Sequence, residues 1–254
     1  VDGNKDEYLT ETQLVNGGPI LEDFDFRYSV DIDYRVHTEE HIDDIIELYM
    51  EKLTEIYKMI PDTCFPIFIF QKDNVNIQDD VTKDGIHMII GIKSDKFARE
   101  ILRDKILNDV LNIGLIFEEL QLQNSYDEVL DEGISKGSTK WQLYGSKKPH
   151  NEPYKLTHAF QISINETDDD NGPYDILLGE KGCDGTTAFM SRKIFTTISA
   201  QYPGHIAYEL QENILPLYNE IKKNSGGKSI KKYKHPTHGK KMNQNTGGAS
   251  ILSD

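Results

Sequence analysis

Cysteine is nearly missing from this chain: Cys64 and Cys183 are the two in 254 residues, and neither stands in a CxxC or Cys/His cluster. That scarcity excludes a disulfide framework and a zinc finger, and it suits an intracellular, reducing compartment. Long hydrophobic runs are missing as well, so no membrane span is expected. The chain opens on Val1 with no basic and apolar leader, which gives no sign of a signal peptide and leads us to expect a fragment of something longer. Positive charge is short too, with 28 lysines and arginines against 43 acids and a formal net charge of −15. Such a balance argues against a nucleic-acid partner. The shortage is uneven, however. Residues 221–254 hold eight lysines and one acid, a net +7, which leaves −22 on residues 1–220. We therefore divide the chain into a folded body, 1–220, and a basic, Gly/Ser/Asn-rich flexible tail or linker, 221–254.

Within the body, residues 19–28 read as a strand. Residues 37–60 read as an amphipathic helix, capped by Thr38 and stopped by Pro61, with Ile42, Ile45, Ile46, Tyr49, Leu53 and Ile56 on its apolar stripe. "FPIFIFQ" (65–71) and "IHMIIGI" (86–92) read as buried strands. Ser94 then caps a helix carrying Leu102, Ile106, Val110 and Ile113 on one face. "KWQLYGS" and residues 155–165 are further strands, 166–174 a turn, and 206–223 a helix that Pro216 should bend or break. Strands alternating with helices, followed by a strand-rich second half, indicate a mixed α/β or α+β domain.

Three stretches carry chemistry. In "ILEDFDF" (20–26) the side chains alternate, so Phe24 and Phe26 go to the core while Asp23 and Asp25 project side by side from the other face. Two carboxylates that close repel unless a cation bridges them, and hard divalent ions take carboxylate oxygens. Alone, a DxD in so acidic a chain reads as solvated decoration. Glu22 falls on the opposite face and has no role, whereas Arg27, on the acids' own face, is a partner for a carboxylate or phosphate. His87 opens an apolar strand, with Gly85 permitting close approach of a ligand and Lys83 supplying charge for phosphate. In "EVLDEGISKGSTKWQLYGSKKP" (128–149), Asp131 closes an apolar run, and Ser146, Lys147 and Lys148 sit at a strand-to-turn junction that suits phosphate contacts. Two look-alikes fail. "TDDDNG" (167–172) lacks the first acid and the twelfth-position Glu of a calcium loop, and "SGGKS" (225–229) lacks the first glycine of a P-loop.

In this order, "ILEDFD", "KDGIH" and "VLD" resemble the motifs of the archaeo-eukaryotic primase superfamily, its PrimPol-like branch especially. The third match extends through Gly133, Ile134, Trp141, Gln142, Leu143, Tyr144, Ser146 and Lys148 at matching spacing. "LYGSKKPHNEPYKL" with "DGIHMII" resembles the N-terminal primase region of helicase-primases from large nucleocytoplasmic DNA viruses, over about Gly17 to about Ile164. The resemblance implies an RRM-like α+β catalytic core, with a mixed sheet and flanking helices. It implies that Asp23, Asp25 and Asp131 hold two Mg²⁺ or Mn²⁺ ions, and that His87, Lys83, Lys148 and Ser146 contact a nucleoside triphosphate. Template-directed primer synthesis on single-stranded DNA would follow, at a viral replication site in the host cell, with a helicase domain elsewhere in the same full-length protein. Repulsion among the three acids predicts raised carboxyl pKa values without metal. The family's arginine is Gln142 here, its serine before the histidine is Gly85, and its Asn-Arg pair is Ser138 and Thr139, so those four positions are not carried over. Two other readings stay open: a metal-dependent nuclease, and an inactive replication scaffold docking through helices 37–60 and 206–223.

Overall fold

A computed structural model describes residues 8–166, 172–178 and 192–225. In chain order, the strands and helices are β1 (Thr10–Glu11), β2 (Asn16–Tyr28), α1 (Glu39–Ile56), β3 (Tyr57–Lys58), β4 (Cys64–Gln71), β5 (Asn76–Ile77), β6 (Thr82–Asp95), α2 (Lys96–Asn108), α3 (Val110–Phe117), α4 (Tyr126–Val129), α5 (Glu132–Ser135), β7 (Trp141–Gln142), β8 (Lys155–Ile164), β9 (Tyr174–Leu178), α6 (Arg192–Thr197), β10 (Glu209–Leu210) and α7 (Leu215–Ser225).

The main sheet runs β2-β6-β4-β8-β9, with β5 paired to the far end of β6. The strand pairs are antiparallel among the described residues, which corrects the expected mixed sheet. The helical connection through α1 carries the chain from β2 to β4 past one empty lane. The oppositely directed β6 then fills that lane, so β2 and β4 never touch. An α+β architecture results.

Period-two alternation divides the sheet into two apolar faces. Ile20, Phe24, Phe26, Ile67, Ile69, Ile86, Met88 and Ile90 point one way and pack with the buried stripe of α1 and with Ile101, Leu102, Ile106, Ile113 and Phe117. Each such side chain contributes roughly 1.5–3 kcal/mol on burial. Leu21, Phe68, Phe70 and Ile89 point the other way, against Ile134, Trp141, Leu156 and Ile198. That second core covers part of its face only, and the remainder carries the polar site.

Several local expectations shift. α1 ends at Ile56, before Pro61, because Tyr57 and Lys58 pair with β10. β6 runs on through Ser94, whose hydroxyl accepts from Tyr57, so Asp95 caps α2 instead, taking the Phe97 and Ala98 N–H groups at 3.0 Å each. Val110 and Ile113 belong to the separate α3, and Val110 is exposed. "KWQLYGS" narrows to the two residues of β7. Residues 206–214 are not helical, and Pro216 sits in the first turn of α7, where its missing N–H costs nothing. α7 continues to Ser225, across the expected boundary at 220. The rest of the basic tail, 226–254, and residues 167–171 of the expected turn lie outside the described residues.

Glu22 is the odd member of the inner face of β2. It is buried facing Tyr49, Arg99 and Arg103, and neither its Oε1 nor the Tyr49 hydroxyl has a partner of normal hydrogen-bond geometry. Burial pushes its carboxyl up to about 8, against the pull of Tyr49 and the two guanidinium groups. The folded state therefore keeps a proton that the unfolded chain releases near 4.5, and stability falls as pH rises from there to about 8. Burial also pushes His37 down to about 4, which acts in the opposite sense at lower pH and is complete near 6.5. Between pH 6.5 and 8.5 the Glu22 effect amounts to about 2 kcal/mol. Urea unfolding at those two pH values should show that loss in the wild type, and Glu22→Gln, which stays neutral, should abolish most of it. Equal pH dependence in both chains would refute the buried-carboxyl account.

Candidate active site

The outer face of β2 turns polar just beyond Leu21. Asp23 pairs across the ladder with His87, Asp25 with Gly85, and Arg27 with Lys83, so one rung after another brings an acid or base to the same wall. The third segment reaches the wall through backbone contacts. Leu130 bridges to Phe24, and the Asp131 N–H donates to the Asp23 carbonyl at 3.1 Å. Residues 108 positions apart in sequence thus become neighbours. Together Asp23, Asp25, Asp131, His87, Lys83 and Lys148 line a pocket of about 480 Å³, joined there by Lys72, Asp84, Glu128, Trp141 and Tyr154.

The geometry is particular at each position. His87 Nε2 lies 3.4 Å from Asp23 Oδ1. Its ring is stacked on Tyr154, with centroids 3.6 Å apart, and tilted against Trp141 at 4.6 Å, so packing fixes its orientation. Arg27 grips Asp25 Oδ2 through Nη2 at 3.0 Å and Nε at 3.2 Å, and reaches Glu128 at 3.5 Å. Asp131 caps α5, its Oδ1 accepting the Gly133 and Ile134 N–H groups at 2.6 and 3.3 Å. Lys83 and Lys148 make no ion pair with a carboxylate among the described residues.

Burial alone would raise the Asp23 carboxyl, but the His87 charge and hydrogen bond, with Lys148 and Lys72, outweigh it and hold the group below its ordinary value. The raised value expected from carboxylate repulsion is therefore reversed at Asp23, because the wall carries cations as well as acids.

Ser146 is not part of this pocket. It is buried, and its hydroxyl faces the Leu9 and Leu143 carbonyls at 2.8 Å each, locking the turn after β7. In this structure the hydroxyl expected to meet a nucleotide is engaged within the fold. That turn aims Lys148 instead.

The chemistry of the donor set suits a hard divalent ion: three carboxylates share one wall, Asp25 and Asp131 each hydrogen-bonded through one oxygen and Asp23 facing His87 through one. Among the described residues no three acidic or imidazole groups already converge into a metal cluster. Arg27 holds Asp25 through Oδ2 and leaves its Oδ1 for an ion.

Lys72, Tyr154, Trp141 and Asp84 complete the wall without having been assigned from sequence. Trp141 lies within the extended third motif. Lys72 and Tyr154 lie just beyond β4 and just before β8, and only strand pairing brings them to His87.

Over 154 residues the chain is 28% identical to a helicase-named protein, L207/L206, of Acanthamoeba polyphaga mimivirus. The match covers 60% of this chain and 16% of that protein, so the chain spans a small part of its relative. Residues 1–160 match the family of the C962R protein N-terminal AEP domain, a range that contains every side chain of the acidic wall. The chain belongs to this archaeo-eukaryotic primase family, of the kind found at the N-terminus of viral helicase-primase-like proteins.

Proposed function

We propose that the chain is the catalytic domain of a primase or primase-polymerase, with an RRM-like core, that copies a single-stranded DNA template into a primer from nucleoside triphosphates. The observation that carries this reading is the convergence of Asp23 and Asp25, His87, and Asp131 from three segments onto one pocket wall that also bears lysines. In it, Asp23, Asp25 and Asp131 hold two Mg²⁺ or Mn²⁺ ions. Such ions, when bound, lower the pKa of an attacking 3′-hydroxyl and stabilise the charge of an in-line displacement.

The chain's own residues do the rest. His87, fixed between Tyr154 and Trp141, presents its imidazole edge to Asp23 and to a phosphate oxygen entering beside it. Lys83, paired with Arg27 across the ladder, and Lys148, beyond the Ser146 turn, offer ammonium groups with no competing carboxylate among the described residues. Arg27 orients Asp25 until the site is filled. The acidic total of the chain does not oppose this use, because nearby cations decide the field in the pocket. A helicase portion of a longer protein is the implied partner.

The test is direct. The chain is incubated with a single-stranded template, labelled nucleotides and Mg²⁺ or Mn²⁺, beside His87→Ala. New oligonucleotide made by the wild type and lost in the variant supports the reading. Template shortening without nucleotides would establish a nuclease instead, and a folded, metal-binding chain that makes no product would be a scaffold.

A further inference from the structure

Lys72 follows β4 immediately. The face that Phe68 and Phe70 share continues to it, and Phe70 pairs with His87, so the chain delivers Lys72 to the wall that carries the acids. Its ammonium lies 4.8 Å from the centroid of the Tyr154 ring, the same ring that stacks on His87. Its backbone is pinned as well. Arg35 Nη2 donates to the Lys72 carbonyl at 2.7 Å, and the same guanidinium clasps buried Asp84 at 2.9 and 3.1 Å. Half-buried, Lys72 has no carboxylate partner within ion-pair distance among the described residues. Burial and the nearby Lys148 both work against its charge, and only the fields of Asp23, Asp84 and Asp25 support it.

A purely structural lysine would be expected to swing its flexible stem into solvent or onto an acid. The aromatic ring, its centroid 4.8 Å from the ammonium, holds this one in the pocket. Two ammonium groups kept near each other and unpaired are arranged for an anion bearing several charges, and the anion must fit a pocket whose other wall is acidic. A phosphate chain whose remaining charge is shared with divalent ions meets both conditions. A template strand, with one charge per nucleotide, does not need two lysines at one point.

We propose that Lys72 is a further nucleotide contact, forming with Lys148 a two-lysine cradle for the phosphates of the incoming nucleoside triphosphate. This rests on the nucleotidyl-transfer reading given above. Arg35 is then a positioning residue, since it holds the Lys72 backbone.

The experiment follows a fluorescent ATP by anisotropy, displaced by inorganic tripolyphosphate, with and without Mg²⁺. It compares the wild type, Lys72→Met, Lys72→Gln and Lys72→Arg, and measures single-stranded DNA binding in parallel. Losing one charged contact should weaken ATP and tripolyphosphate on the order of tenfold in the Met and Gln variants. DNA affinity should change less than about twofold, and the Arg variant should recover most of the loss. The KM for nucleotide should rise more than kcat falls. Unchanged triphosphate binding in whichever of Met and Gln folds as the wild type does would overturn the proposal, as would an equal loss of DNA binding, which would assign Lys72 to the template. A wild type that binds neither ATP nor tripolyphosphate would sink the nucleotidyl-transfer reading along with it. Wild-type binding that the variants retain would sink the Lys72 assignment alone.

Discussion

Alanine at Asp23 should reduce primer synthesis on the order of a thousandfold while leaving the fold standing. The carboxylate sits on β2, the end strand of the main sheet, opposite His87, and His87, Lys148 and Lys72 together hold its pKa below the ordinary value. Removing one preorganised charge from an active site typically costs a factor of 10² to 10³ in rate, and the ion-holding role proposed for Asp23 puts it at the upper end. Its contribution to stability is small by comparison. The side chain is partly exposed and its contact to His87 is long, at 3.4 Å, so screening leaves the pair worth about 1 kcal/mol or less. Because its folded pKa is depressed, that small contribution is present near neutral pH and fades as pH falls through the carboxylate range. Asp25→Ala should behave alike in activity, with Arg27 released from its nearest acid. Thermal unfolding measured beside initial rates separates the two quantities. A variant that loses activity only in proportion to lost folded protein would remove Asp23 from the chemistry.

Much of this wall can be read from sequence because a strand has a period of two. Asp23, Asp25 and Arg27 had to share a face once Phe24 and Phe26 went to the core, and the fold keeps that parity. The stripe of α1 survives for the same reason, in a period of 3.6. What escapes is whatever depends on pairing at a distance. Lys72 has no motif around it, and its place beside His87 follows from β4 lying against β6. Ser146 looks like a phosphate ligand by its neighbours, yet two carbonyls, one from Leu9, claim its hydroxyl. The cap of α2 falls to Asp95 rather than Ser94 because β6 stays paired to its end, past the close of its apolar run at Ile92. Pro216 breaks nothing, since the helix begins around it. The direction of the Asp23 shift is set first by His87 and then by Lys148 and Lys72, which local sequence does not connect to it.

Serine at position 85, the residue the wider superfamily resemblance would place before His87, should destabilise this protein by about 3 kcal/mol. Gly85 lies on β6 directly opposite Asp25, and a Cβ added there would stand 2.4 Å from the Phe24 carbonyl oxygen and 3.1 Å from the Tyr154 hydroxyl. The first contact is with backbone, on the strand that carries both acids. No rotamer change relieves it, so β2 and β6 must separate where Asp23 meets His87. The hydroxyl itself is secondary, which gives the prediction its control: Gly85→Ala should cost nearly as much as Gly85→Ser. Pairing either with Tyr154→Phe should recover little, because removing that hydroxyl leaves the 2.4 Å backbone clash untouched. Urea midpoints give the stability change, and primer synthesis should fall further than the loss of folded protein accounts for, since the surviving molecules carry a displaced acidic strand. An alanine variant as stable as the wild type would mean that β2 yields freely at Phe24. In the structure as it stands, the same carbonyl-bearing strand is tied on its other side by the Asp131 N–H at Asp23 and by the Phe24–Leu130 bridge, and it has no slack to give.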